Sequence, residues 1–593
     1  DSYKFRASSY YKLTPDLGMA VTGYYTHTGG FFENLATGDK CDWERLGGGR
    51  WKTQWRNRTG LRIDNTLSFS VLEQGGYPYA YVGDDIIGDD GRPVVRRGEI
   101  RYNDPCSYRR TALSDGLTIR YDAGSFTVAS ITCYQYSDDE MILDQDFLPL
   151  SYFTLRQART EHSVTEDLVF RSRGDKAYRW LLGAFGFYRH GTMNAPVHFK
   201  QTGIEELILK YANENDQSYR YSWGLKDGTG GDELFLGSDF RMPSAGGALY
   251  HESNYTLGRW RFTAGLRFDF EHARLRYRNY TDTWYTKTRI KDDAVYELQL
   301  EIDDRSTLKQ TFTELLPKFS VMYSFDETRN LYLTIAKGYK SGGFNTQIFS
   351  DVLQQKMMNR MGIGEVYDVQ RGVAYKPEYS WNYEIGGHFS CMEGAVRGDF
   401  ALFYIDCRDQ QLTVFPPGQT TGRMMTNAGR TRSLGAEAAV QISPWRTFDI
   451  NLAYGYTDAR FVRYETTVKN DDGDPVRISY KDNRIPYAPQ HTLYAGASYT
   501  LRTGWNWLEY VIFRVAANGA GRIYWNEANT FSQPFYALLE ASIRFEHRHW
   551  AVDVWGRNLT DTRYDTFYFM SIGNSFLQRG RPRTFGVSLS ITL

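Results

Sequence analysis

Two kinds of short constellation in this chain have the residue types for metal chemistry, and one longer stretch has those for gripping an organic anion. His547 and His549 stand two apart, so on an extended segment both imidazoles point to one face. That spacing suits a metal ion, but it suits a solvated turn better. Asp84-Asp85, Asp89-Asp90 and Asp471-Asp472-Gly473-Asp474 carry the hard oxygen ligands that calcium prefers, yet such pairs are first of all hydrophilic loop tips. Asp138-Asp139 and Asp292-Asp293 also fall in polar stretches. Neither G-x-S-x-G nor a phosphate-cradling P-loop occurs, so no enzyme and no cofactor is expected. The richest stretch is 337–371, where Lys337, Tyr339, Lys340, Phe344, Asn345, Arg360 and Arg371 mix cations with aromatic rings. Such a mixture holds an anionic ligand by ion pairing and cation–π contact. Residues 351–361 read as a short helix with Asp351 as its cap, a flap able to close over a ligand. Tyr524, Trp525 and Asn526 form a second candidate cluster. Lys and Tyr are also ordinary decoration, so these residues need a scaffold that brings them together.

That scaffold is legible in composition and periodicity. The 593 residues hold 70 Lys+Arg against 70 Asp+Glu, a formal net charge of zero, which provides no field to attract nucleic acid. Aromatic residues make up 16% of the chain, too much apolar surface for disorder. Mean hydropathy is −0.53 and no apolar run approaches the length of a membrane helix, roughly 18 residues. A membrane β-barrel survives this test, because its strands need only every second residue apolar. Phe585, Val587, Leu589, Ile591 and Leu593 alternate with small polar residues. Trp260, Phe262, Ala264, Leu266, Phe268 and Phe270 do the same against Arg261, Thr263, Gly265, Arg267, Asp269 and Glu271. These runs exceed the usual strand of about 5–6 residues and match a tilted bilayer crossing of about 9–11.

Connections alternate in length. Short turns such as Thr14-Pro15-Asp16, Leu257-Gly258-Arg259 and His547-Arg548-His549 separate long polar stretches near 28–50, 74–108, 191–244, 274–310, 341–376, 461–486 and 559–579. Short turns at one end and long loops at the other mark an outer-membrane barrel. Trp445, Trp505, Trp507 and Trp550 gather beside the short turns, where an inner aromatic girdle would sit. The pattern gives twenty-one strands, among them 51–62, 260–273 and 311–325, with the first running toward the periplasm and the last ending there. An open edge in lipid leaves backbone groups unsatisfied, so a twenty-second strand is expected from elsewhere. Of five cysteines, Cys41 and Cys106 fall in irregular segments on the same side, which allows one loop-to-loop disulfide; free buried thiols are the alternative.

Several segments resemble TonB-dependent outer-membrane receptors of the iron-complex type. They are Pro317-Lys318-Phe319-Ser320, Lys337-Gly338-Tyr339-Lys340-Ser341-Gly342-Gly343-Phe344-Asn345, Pro377-Glu378 with Asn382-Tyr383-Glu384-Ile385-Gly386, and Asn427-Ala428-Gly429 with Gly435-Ala436-Glu437. The ending adds Asn558-Leu559-Thr560-Asp561, Tyr564 and Gly580-Arg581-Pro582-Arg583-Thr584-Phe585-Gly586. The resemblance implies an all-β fold, a transmembrane antiparallel barrel of the 22-strand type with 21 strands in this chain, lying in the bacterial outer membrane. It implies import of a scarce ligand, with a ferric siderophore or similar metal chelate as cargo, and outer-membrane lipid around the wall. It further implies a TonB-type energy transducer acting through an N-terminal plug. The chain opens in Tyr3-Lys4-Phe5-Arg6-Ala7 without start methionine, signal peptide or plug, so residues 1–593 are expected to be the barrel domain alone. The plug is then a preceding segment or a separate chain. A passive barrel, such as a porin or secretion component gated by other chains, is the alternative, and a soluble β-rich enzyme or adhesin a third.

Overall fold

The computed structural model describes residues 2–88, 91–226, 228, 233–363, 372–414, 424–469 and 475–593. Twenty-one long strands form the wall. They are β1 (Ser2–Thr14), β2 (Leu17–Thr28), β3 (Glu44–Arg56), β4 (Leu61–Gln74), β5 (Ser107–Asp122), β6 (Phe126–Asp144) and β7 (Phe153–Ser172). Next come β8 (Tyr178–Asn194), β9 (Glu233–Leu257), β10 (Trp260–Arg289), β11 (Val295–Ser324), β12 (Asn330–Lys340), β13 (Glu378–Cys391) and β14 (Val396–Val414). The remainder are β15 (Met424–Trp445), β16 (Phe448–Arg463), β17 (His491–Trp505), β18 (Leu508–Ala520), β19 (Tyr536–His547), β20 (Trp550–Arg557) and β21 (Thr584–Ile591). Each pairs antiparallel with its neighbours in sequence, from β1–β2 through β20–β21, so the wall curls into one barrel. Among the described residues no pairing joins β1 to β21. With an odd number of alternating strands, these two run in the same direction.

Outside and inside follow the period of two. On β10, Phe262, Leu266, Phe268 and Phe270 are exposed while Arg267 and Asp269 on the other face hydrogen-bond each other at 2.8 Å. The two end strands, each paired on one side only, are the barest; on β21 the outward Phe585, Val587, Leu589 and Ile591 form an apolar row suited to lipid. Inward polar groups pair across strands, as Tyr250 to Asp167 at 2.7 Å and Lys318 to Glu252 at 3.0 Å. Trp445, Trp505 and Trp507 stand exposed beside the short turns, with Trp505 stacked on Trp507 at 5.4 Å.

The structure corrects several expectations about the wall; β3 already begins at Glu44 and β9 at Glu233, inside stretches expected as loops. The strand expected at 51–62 ends at Arg56, because Asn57 builds a turn: its Oδ1 accepts from Thr59 N (3.0 Å) and Leu61 N (2.9 Å), and Gly60 takes φ 91°. The stretch 274–310 is not a loop. β10 and β11 continue unbroken beyond the membrane, paired from Arg274↔Lys309 to Thr288↔Val295.

Candidate functional site

Above the membrane level the inner face of the wall changes character. Residues Leu275 and Tyr277 of β10, Leu300, Ile302 and Leu308 of β11, and Leu234, Leu236 and Phe240 of β9 are buried. They are covered from inside by two helical segments. One, α1, spans 201–215 and contains a π turn at Ile204–Leu209; Ile204, Ile208 and Leu209 sit in the core. The other, α2 (Phe349–Met361), inserts Phe349 against Phe240 (ring centroids 4.9 Å) and Tyr277 (4.7 Å). Asn279 Nδ2 on β10 donates to Phe349 O at 3.1 Å, satisfying a carbonyl of the helix. Leu353, Met357 and Met361 join the two helices into one core. Gly362 ends α2 at φ 85°, with Gly362 N and Ile363 N returning to Asn359 O and Met358 O.

α2 therefore begins before the expected Asp351, which lies buried in its first turn and is not the cap. Ile348 holds the cap position without a side-chain bond. Burial of Ile348 and Phe349, worth about 1.5–3 kcal/mol each, outweighs a polar cap of about 1 kcal/mol.

Beside this core lies a cavity of about 250 Å³. Its wall comes from the inward faces of β6 to β9: Met141, Leu143, Phe153, Leu155, Gln157, Met193 and Ser238. Loops and the first turn of α2 complete it with Tyr77 and Tyr79, Gln145 and Phe147, Thr346, Gln347 and Ser350, and Phe569 to Ser571. The last three belong to a hairpin, Asp565–Ser571 with Asn574–Arg579, which pairs with Tyr79–Tyr81 as a small sheet across the mouth. Phe147, Phe569 and Phe576 pack edge-on and stacked at 5.3–5.5 Å around this sheet. Among the described residues, no lining side chain carries a formal charge. Ser238 Oγ is buried without a hydrogen-bond partner, a hydroxyl on the cavity wall still able to bond a guest.

The loop between β6 and β7 is held by two carboxyls, both fully buried. Asp144 accepts from Asp104 N (3.0 Å) and Phe147 N (3.2 Å), and Asp146 from Leu148 N (2.8 Å) and Tyr152 N (3.4 Å). Burial, then repulsion from neighbouring carboxylates, pushes both above the ordinary carboxyl range, Asp146 further than Asp144.

The residues expected from sequence are placed differently. Lys337 is bound to Glu314 at 2.9 Å and lies over Tyr379; Tyr339 packs on the same ring at 6.1 Å. Lys340 ends β12 exposed, and Arg360 is exposed on α2. Phe344 packs beside the core near Phe349. Asn345 is a buried brace whose side chain spans Met425 N (2.6 Å) and Met425 O (2.9 Å). Arg371 lies outside the described residues, as do Asp89-Asp90 and Asp471 to Asp474. Trp525 is buried against Tyr487, while Asn526 closes its own loop onto Thr530 N at 3.0 Å, and Tyr524 pairs with Ser532. So the 337–371 stretch does reach the cavity, through Thr346, Gln347 and Ser350, while Lys337, Lys340 and Arg360 are not among the residues that line it. The lining residues missed from sequence are scattered over eight segments; only the Y-x-Y and F-x-F spacing of Tyr77-Pro78-Tyr79 and Phe567-Tyr568-Phe569 hinted at them.

The possible disulfide is absent: Cys41 and Cys106 are free. They belong to one small core with Tyr102, yet each thiol is engaged elsewhere, Cys41 Sγ donating to Phe32 O at 3.5 Å and Cys106 Sγ accepting from Asp144 N at 3.2 Å. Burial pushes both thiols up to about 12, which keeps them protonated and inert. His547 and His549 close their own turn, His549 N donating to His547 Nδ1 at 3.3 Å. No group of three or more His, Cys, Asp or Glu able to hold a metal occurs among the described residues.

A lipid-facing apolar exterior, a polar charge-paired interior and a loop-built cavity at the wide-loop end define an outer-membrane receptor barrel. Residues 2–559 match the family model described as TonB dependent receptor-like, beta-barrel, and the chain belongs to that family, in the bacterial outer membrane. Among curated proteins it is similar to pesticin receptors of Yersinia enterocolitica (27% identical) and Yersinia pestis (26%), each over 286 residues, 48% of this chain. That match spans only 37% of those relatives' length. Among solved structures, the fold is similar to the ferric yersiniabactin uptake receptor FyuA of Yersinia pestis (TM-score 0.72, 18% identity, covering 100% of this chain and 78% of that one). It is also similar to the siderophore receptor PiuA of Acinetobacter baumannii (TM-score 0.68, 12% identity, 99% and 79%).

Proposed function

We propose that this barrel imports a ferric siderophore or similar metal chelate, energised by a TonB-type transducer through a plug that lies outside residues 1–593. The observation that carries the reading is the cavity under the extracellular loops, aromatic and thioether-lined, with the unpaired Ser238 hydroxyl on its wall. Flat aromatic groups of an organic chelate would rest on such rings, while a few neutral polar groups fix its orientation. The uncharged lining favours a chelate of low net charge over the strongly anionic one that the cations of 337–371 suggested, since a buried unpaired charge is costly. The similar proteins, a ferric yersiniabactin uptake receptor and a siderophore receptor, support the same cargo class. A preceding segment would supply both plug and a strand antiparallel to β1 and β21, satisfying the edges left unpaired between them.

The test is titration of the full-length protein with ferric complexes of graded charge, read by intrinsic fluorescence quenching. Saturable binding of an aromatic, weakly charged ferric chelate and transducer-dependent growth on it are expected. A large, ungated conductance of the full-length protein in planar bilayers, with no ferric complex bound, would favour the passive barrel.

A further inference from the structure

Three stacked pairs of cations stand on the outer face of β9, β10 and β11, just beyond the lipid belt. Arg278 lies directly opposite Arg305, Arg276 opposite Arg241, and Arg274 opposite Lys309. Like charges placed across a ladder repel. The uppermost pair resolves this with an anion of the protein: Asp303 accepts from Arg278 (3.0 Å twice) and from Arg305 (2.9 and 2.6 Å). The two lower pairs have no carboxylate partner among the described residues. Asp239, two residues beyond Arg241, is occupied by Asn194 at 2.7 Å. The other outward side chains at this level include His190, Thr192, Pro243, His272, Thr307 and Thr311, none of them an anion. Arg274 Nε is covered from solvent yet bonds nothing.

We propose that Arg241, Arg274, Arg276 and Lys309 hold the phosphate of an anionic glycolipid in the outer leaflet. The missing counter-charge calls for an anion from outside the chain, and the position says which. Phe270 and Leu315 are the last exposed apolar residues of the belt on β10 and β11. Arg274 follows Phe270 by four residues, roughly 13 Å along the strand and, at a tilt of about 40°, about 10 Å above the hydrocarbon edge. Long basic side chains reach down from there into the headgroup layer. Acyl chains of the same lipid would lie on Leu249, Phe268, Phe270 and Leu315 directly below, all exposed. A phosphate thus takes toward the lower pairs the part that Asp303 plays toward the upper one.

The test uses the full-length protein in nanodiscs of neutral phospholipid doped with a diphosphorylated glycolipid, with bound glycolipid counted by native mass spectrometry. The wild type is expected to retain it, and R241Q/R274Q/R276Q/K309Q to bind about fivefold more weakly for each cation removed. R278Q/R305Q, whose charges are already matched by Asp303, should stay close to wild type. Heat-modifiable migration on gels checks that each variant is folded; if the quadruple variant is not, R274Q and R276Q singly should show the smaller loss. Equal retention by folded wild type and variants overturns the proposal. So does displacement of the glycolipid by millimolar inorganic phosphate, which would make this a free-anion site.

Discussion

β10 contains two stretches with the same alternation and opposite polarity. From 260 to 270 its outward residues are Trp, Phe, Ala, Leu, Phe and Phe, and its inward ones include Arg267 and Asp269. From 274 to 282 the outward residues are Arg274, Arg276, Arg278, Tyr280 and Asp282, while inward Leu275, Tyr277, Asn279 and Thr281 are buried. The backbone does not break between them. What changes is the solvent on each side: lipid outside and a polar lumen below, water outside and a protein core above. The crossing point near His272 therefore marks the membrane surface, and the inward apolar face above it creates the pocket-bearing mouth.

This contrast is sharpest where it can be broken. Phe349→Ala removes a fully buried ring from the mouth core and should cost about 3–5 kcal/mol, felt locally. Hydrogen exchange should rise in α2 and the upper β10–β11 hairpin while the membrane stretch stays protected. Loss of protection in both stretches together would show that the two are one cooperative unit. Leu266→Arg attacks the other stretch near mid-membrane and should lower folding stability in vesicles by about 2–4 kcal/mol, measured by urea titration. Arg276→Phe, outward but above the belt, should cost far less. If the two cost the same, the boundary near His272 is misplaced.

Two smaller effects probe the mouth itself. Ser238→Ala should leave stability unchanged or slightly higher, because the hydroxyl has no partner to lose, and weaken chelate binding by about 0.5–1.5 kcal/mol. Unchanged affinity would remove Ser238 from the cargo site. The pair Asp144 and Asp146 predicts a pH effect confined to loop 145–152. Both carboxyls hold protons in the folded state above the ordinary range, so the folded state binds more protons than the unfolded. Their contribution must then fall as pH rises from about 4 toward neutral and beyond. Exchange of the Leu148 and Tyr152 amides, corrected for intrinsic rate, should accelerate over that window. In Asp146→Asn the dependence should flatten.

Much of the wall could be read in advance because its signal is local. Phe585 to Leu593 announce their strand by period alone, and the number of wall strands follows from such runs and the turns between them. Where the turn begins on the Asn57 side-chain acceptor, three residues ahead of Gly60, the end of β3 differs from the expected one. The candidate site was less legible. Lys337 and Asn345 have the types of ligand-gripping residues, but Glu314 and the Met425 backbone claim them, and neither partner is near in sequence. Cys41 and Cys106 do share a neighbourhood, yet each sulfur is held by a backbone partner, Phe32 O and Asp144 N, in place of a bond between them.

The sequence by itself determined the barrel, the orientation of its turns and loops, the inner Trp girdle and the absence of an enzyme motif, since each rests on alternation or spacing within some twenty residues. Only the tertiary structure decided what the long loops do. A cavity assembled from β6, β7, β8, β9 and four connecting segments depends on contacts more than four hundred residues apart, such as Ser571 Oγ donating to Gln145 O at 2.7 Å. A polarity inversion along one strand acquires meaning only when α1 and α2 fold back to cover it. Three rows of like charge become distinguishable only when register shows which of them Asp303 neutralises.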